Sequence, residues 1–239
     1  MGEVANNILR EIKKLADPVR AKHSVRYFKT AKGQYGEGDI FWGLRVPQIR
    51  ALAKRYQASI STQEVVELLK NPVHEVRLMA VILLTHQAKE RPKEIFDTYL
   101  KNTKYVNNWD LVDTSAKEIV GTYIDGRSKK ILTTLAKSKD IWERRIAMVA
   151  TWHSIKKGEH EDAFMVADML VNDTHDLIHK AVGWMLREVG NYSGQAVEEE
   201  FLKKHAHYMP RTMLRYAIEK FPEKKRKEYL ALKNRPITV

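Results

Sequence analysis

Cysteine is absent from the 239 residues. Its absence excludes disulfides, thiolate catalysis and cysteine-ligated zinc, and it fits a reducing, cytoplasmic setting. No run of about 18 apolar residues occurs, so no transmembrane helix and no membrane partner are expected. The opening residues, Met1-Gly2-Glu3-Val4-Ala5-Asn6-Asn7, are polar and hold no apolar signal core. There is no Walker A lysine loop, no Gly-x-Ser-x-Gly elbow and no His-Glu-x-x-His pair, which leaves P-loop, nucleophile-elbow and zincin chemistry without support. Alternating strand patterns with hairpin turns are also missing. Acidic residues are the scarcer charge: 30 Asp and Glu stand against 42 Lys and Arg, for a formal net charge of +12. A basic surface attracts phosphate through counterion release, so nucleic acid is the leading partner class.

What remains is helical. Pro or Asp/Asn/Thr-rich joints fall at Asp17-Pro18, Val46-Pro47, Asn71-Pro72, Arg91-Pro92, Asp125-Gly126, Asp173-Thr174, Met209-Pro210 and Phe221-Pro222. Amphipathic stretches of helix length run between them, including 73–89, 107–124, 141–156 and 177–189. The segments starting at Val73, Ile141 and Leu177 resemble one another. In that alignment Arg77 and Arg145 are 68 residues apart, and Arg145 and Lys180 are 35 apart. A degenerate period of that length with paired helices predicts an all-α fold: an α-solenoid (superhelix) of HEAT-like helical repeats. The chain is expected to form one such domain over 1–239, with the recurring basic position lining a basic concave face. One stretch breaks the rhythm, Lys32-Gly33-Gln34-Tyr35-Gly36-Glu37-Gly38-Asp39, and reads as an ordered loop with a structural or lid role.

Several constellations bear on chemistry. Trp109 and Asp113 are spaced i, i+4, so a ring and a carboxylate share one helix face. The plain alternative is a core indole beside a capping aspartate. Against it, Leu111 and Val112 already supply an apolar stripe, and Asn107 or Asn108 supplies a cap. Arg145, three residues after Trp142, is either a phosphate clamp or a salt bridge inside the stack. Trp184 follows Gly183 in mid-helix, where glycine costs about 1 kcal/mol relative to alanine and permits close approach of a backbone or a ligand. His175 and His179 have metal-ligand spacing but no third ligand, so no metal is expected. Lys224-Lys225-Arg226-Lys227 is a solvated helix face or a phosphate patch.

Taken together, Arg26-Tyr27, Phe41-Trp42-Gly43-Leu44-Arg45-Val46-Pro47, Trp109-Asp110-Leu111-Val112-Asp113, Trp142-Glu143-Arg144-Arg145 and Lys180-Ala181-Val182-Gly183-Trp184-Met185-Leu186-Arg187-Glu188 resemble the AlkD-type DNA alkylation repair glycosylases. The resemblance spans roughly residues 10 to 220. It implies a monomeric base-excision enzyme that binds double-stranded DNA containing alkylated bases. That enzyme hydrolyses the N-glycosidic bond of cationic N3- and N7-alkylpurines without metal or cofactor. By match of motif, Asp113, Trp109 and Trp184 would form the catalytic cluster. Arg145 would grip the DNA backbone near Tyr27, with Lys180 and Arg187 on the DNA side. The glycine-rich 32–39 segment departs from the family pattern as an insertion. It keeps open the alternative of a non-catalytic HEAT-like protein for bent or branched DNA, and a protein-binding scaffold is a third possibility.

Overall fold

A computed structural model describes residues 2–232, so Met1 and the last seven residues of the expected 1–239 domain lie outside the described residues. Among the described residues every regular element is helical, and the only strand-like pairing is an isolated parallel bridge between Ile40 and Val73. No described helix is long and apolar enough to cross a membrane. Pairwise packing of successive helices is of the HEAT-like repeat kind, within two compact units, Met1–Ile119 and Val120–Val239.

The first unit contains α1 (Glu3–Lys14), α2 (Pro18–Tyr27), α3 (Val46–Tyr56), α4 (Thr62–Leu69), α5 (His74–Gln87), α6 (Pro92–Lys101) and α7 (Trp109–Ala116). Local chemistry explains its joints. Asp17 accepts from the backbone N–H groups of Val19 and Arg20, with Pro18 in the first helical turn. Ser61 and Glu64 close a capping box on α4. Val46-Pro47, read as a joint, instead forms the first turn of α3, where proline's missing N–H costs nothing. α5 is the centre of the core. It is buried from His74 through Leu84 and packs against α3, α4, α6 and α7, so it carries apolar residues all round rather than a stripe.

The helix begun by α7 passes through a π-helical turn, Lys117–Gly121, into α8 (Thr122–Ile124). The second unit continues with α9 (Lys130–Ala136), α10 (Ile141–Ala150), α11 (Trp152–Ile155), α12 (Glu161–Leu170), α13 (Asp176–Ser193), α14 (Gln195–His205), α15 (Arg211–Ala217) and α16 (Glu223–Ala231). Its core helix is α13, which packs on α10, α11, α12, α14 and α15.

The repeat is real, but its basic position falls one residue earlier in α10 and α13 than the pairing of Arg77 with Arg145 and Lys180. The true N-caps are Val73, Asp140 and His175. The equivalent fourth helical residues are therefore Arg77, Arg144 and His179, not Arg77, Arg145 and Lys180. Each turns back on the loop before its helix. Arg77 donates to the carbonyls of Asn71 and Pro72, and Arg144 to those of Ser138 and Lys139; His179 bonds the carbonyl of Asp173. The recurring basic position is thus a buried or half-buried collar that satisfies loop carbonyls. Those carbonyls have no helical partner of their own, which is why a donor recurs there.

Candidate active site

In the first unit the site grows from the N-terminus of α7. Asn108 is its cap: the side-chain oxygen accepts from the Trp109 N–H at 2.8 Å. Trp109 is the first helical residue and Asp113 lies one turn on, so the predicted ring and carboxylate do share a face, both half-exposed. Trp109 does not sit in the core. Its ring stacks on Phe28 (centroids 5.4 Å, 15°), and Phe28 in turn stacks on Phe41 at 4.9 Å. Tyr27, the last residue of α2 and 66% exposed, sets its edge to Trp109 at 5.9 Å. The first unit thus brings together Tyr27, Trp109 and Asp113.

Beneath this aromatic column lies a buried ionic network that sequence reasoning missed. His74, the first residue of α5, is 1% exposed. Its Nδ1 meets Asp39 Oδ2 at 3.0 Å and its Nε2 meets Asp110 Oδ2 at 2.8 Å. Arg77 donates to Asp39 Oδ1 at 2.6 Å and Asn108 Nδ2 donates to Asp39 Oδ2 at 3.2 Å. Phe28 and Phe41 each lie 4.7 Å from the imidazole. Burial by itself pulls the His74 pKa down, but the Asp110 carboxylate, by charge and hydrogen bond, and the Asp39 hydrogen bond override it and raise it to about 9. Burial likewise opposes the charge of Asp39, yet His74, Arg77 and Asn108 hold its pKa below the ordinary carboxylate value. Asp39 is the final residue of the glycine-rich 32–39 stretch, and its bonds to His74, Arg77 and Asn108 anchor that end of the loop.

The Phe41-Trp42-Gly43-Leu44 motif is also structural. The buried Glu75 carboxylate accepts from the backbone N–H groups of Trp42, Gly43 and Leu44. Gly43 has φ +83, and a Cβ there would strike the Asp17 carbonyl and the Ala21 nitrogen.

At the other end of α5 the first unit holds an open cleft of about 720 Å³, lined in part by Arg50, Lys54, His86, Lys89 and Arg91. Among the described residues Arg50, Lys54 and Lys89 make no ion pair. Burial, then Lys89 and Arg50, lower the pKa of His86, a mark of the positive potential in the cleft.

The second unit carries the other expected residues. Trp184 on α13 is half-exposed and meets Trp152 edge-on at 4.9 Å. Its Nε1 donates to Glu188 Oε1 at 3.2 Å, so the spacing of Trp109 and Asp113 recurs in Trp184 and Glu188. Gly183 lies against α15, where a Cβ would meet the Met213 carbonyl and the Ala217 nitrogen, so the close approach it permits is to a backbone. Arg145 is 5% exposed and donates to the Leu177 carbonyl at 2.6 Å, which ties the start of α13 to α10. Lys180 pairs with Asp176 at 2.7 Å, and Arg187 pairs with Glu219. His175 caps α13 through Nδ1 and His179 bonds a carbonyl, so both rings of the i, i+4 pair have structural work. The Lys224–Lys227 run is a solvated face of α16 in which Lys225 pairs with Glu199 and Arg226 with Glu223.

Residues 8–221 match the family described as DNA alkylation repair enzyme. No curated protein matches the sequence. The fold is similar to a solved structure described as a predicted DNA alkylation repair enzyme from Enterococcus faecalis. That likeness has a TM-score of 0.69 and 17% identity over 87% of this chain and 97% of the other.

Proposed function

Because this chain belongs to the DNA alkylation repair enzyme family, we propose that it is a monofunctional DNA glycosylase that releases cationic N3- and N7-alkylpurines such as 3-methyladenine and 7-methylguanine. The observation that carries this reading is the half-exposed Trp109 with Asp113 one turn away on α7. An N3- or N7-alkylated purine is already cationic and leaves with the electron pair of the N-glycosidic bond as a neutral base. The sugar is left oxocarbenium-like, with positive charge at C1′. Asp113 opposes that charge and orients the water that adds to C1′ and loses a proton. The face of Trp109 contacts the cationic sugar as rings contact other cations. Tyr27 in the first unit and Lys180 and Arg187 in the second serve as DNA contacts, whereas Arg145, buried against the Leu177 carbonyl, holds α13 to α10 instead, and a single chain acts on the duplex.

The deciding experiment is single-turnover release of 7-methylguanine and 3-methyladenine from methylated duplex DNA. Asp113→Asn is expected to lose roughly a hundredfold or more in rate, on the scale of lost electrostatic stabilisation, and to bind DNA as the wild type does. Equal release by wild type and variant would refute the assignment. Absence of release together with a preference for branched over linear duplex would instead establish the non-catalytic DNA-binding alternative.

A further inference from the structure

His74 belongs to no step of that reaction, yet it is the most completely enclosed ionisable group beside the Trp109 face. Both of its ring nitrogens point at carboxylates, Asp39 at 3.0 Å and Asp110 at 2.8 Å. An ionised carboxylate only accepts hydrogen bonds, so both ring nitrogens must carry hydrogen, which only the imidazolium provides. The two partners are not equivalent. Asp39 has Arg77 and Asn108 as further donors. Asp110 has only His74 among the described residues, and its Oδ1 is buried without a partner. Loss of one proton leaves His74 a single N–H. Asp39 keeps its other donors, whereas Asp110 would face a lone pair or lose its sole bond.

That bond bears on the site because of where Asp110 stands. Asn108 and Asp110 flank Trp109 on either side in sequence, and each is tied to the network, Asn108 through Asp39 and Asp110 through His74. The Trp109 ring is held from below by Phe28, and Phe28 and Phe41 both lie against the imidazole at 4.7 Å. A cation beneath those rings is favoured by their quadrupoles. Backbone and ring of Trp109 are therefore both fixed through one side chain.

We propose that His74 is a positioning residue for the reaction, which clamps Asp39 to Asp110 and so fixes the start of α7, with Trp109 and Asp113 upon it, in the arrangement the chemistry uses. The proposal rests on the glycosylase reading for its kinetic consequence and on geometry alone for its structural one. Every charged group packed on His74 is accounted for: Asp39 from the glycine-rich loop, Arg77 from α5 and Asp110 from α7.

Two measurements test it. The first needs no activity. In the intact protein, nitrogen NMR of the histidine rings should show His74 with both N–H groups at neutral pH, losing one near pH 9. The Trp109 indole resonance, identified by its loss in Trp109→Phe, should move over the same interval. A His74 that titrates at its ordinary value, or a Trp109 signal unmoved by its titration, overturns the clamp.

The second is the pH profile of single-turnover base release, corrected for spontaneous loss. The wild type should fall on the alkaline side as His74 deprotonates. In His74→Gln the rate should drop at least tenfold at neutral pH and the alkaline fall should vanish, with DNA affinity retained. Asp110→Asn leaves the Asp39–Arg77–Asn108 contacts intact and removes the charge that holds the proton, so it should move the alkaline fall to lower pH. A profile identical to wild type in either variant overturns the positioning role. If the wild type releases no base at all, the glycosylase reading fails, while the NMR result still decides the clamp.

Discussion

At the residue scale, His74 predicts how stability depends on pH. Its pKa is raised from 6.5 to about 9 in the fold. A group raised in this way contributes fully below its unfolded value and loses that contribution as pH rises through the folded one. Urea unfolding should therefore show declining stability between about pH 6.5 and 9, and His74→Gln should flatten that decline. Tyr99→Phe is a second test. The buried Tyr99 hydroxyl bonds Ser115 Oγ at 2.8 Å, and removing it should cost about 1 kcal/mol with no change in excision rate. Trp109 and Asp113 were legible in the sequence because helical spacing makes neighbours of residues four apart. His74 was not: its partners Asp39 and Asp110 lie 35 and 36 residues away. The available signal was a histidine opening an otherwise apolar stretch, together with an aspartate closing the glycine run. Arg145 was readable as a residue with a purpose, but spacing does not tell a guanidinium facing solvent from one facing the Leu177 carbonyl.

At the element scale, the packing of α13 yields two predictions. Gly183→Ala gains about 1 kcal/mol of helix propensity but drives a methyl into the backbone of α15. The clash should prevail, with a net loss of roughly 1–3 kcal/mol by denaturant unfolding. Glu198 on α14 is buried against α13, and burial first, then neighbouring Glu199, raises its pKa from 4.5 to about 9. An acid that stays protonated in the fold loses its stabilising contribution as pH rises through that interval, the same direction as His74. Glu198→Gln keeps the shape and abolishes the titration, so its thermal midpoint should exceed that of wild type at pH 9 and match it more nearly at pH 5. Most helices were legible because proline and the Asp or Ser caps act locally. The register of the repeat, taken from segments starting at Val73, Ile141 and Leu177, was off by one residue at α10 and by two at α13 because the alignment followed apolar residues, whereas the caps set where each helix begins.

At the scale of the molecule, the net charge of +12 predicts that affinity for duplex DNA falls steeply with salt, the slope dropping by about one unit for each phosphate contact removed. Replacing Arg50 and Lys54 together by alanine should lower that slope, because neither is neutralised by an acidic partner among the described residues. A flat salt dependence in the wild type would favour a protein partner instead. The all-helical repeat was legible from periodicity, which is a whole-chain property. The division into two compact units was not, since it falls within the π-helical turn of one continuous helix. The link between Asp39 and α7 also limits redesign. Trp109 and Asp113 cannot be grafted onto a foreign helix as an eight-residue cassette, because their placement is written in three separate stretches of chain. A transplant would have to carry the end of the glycine loop, the first turn of α5 and the cap of α7 as one inheritance. Drift in any one of the three should be tolerated only when the other two change with it.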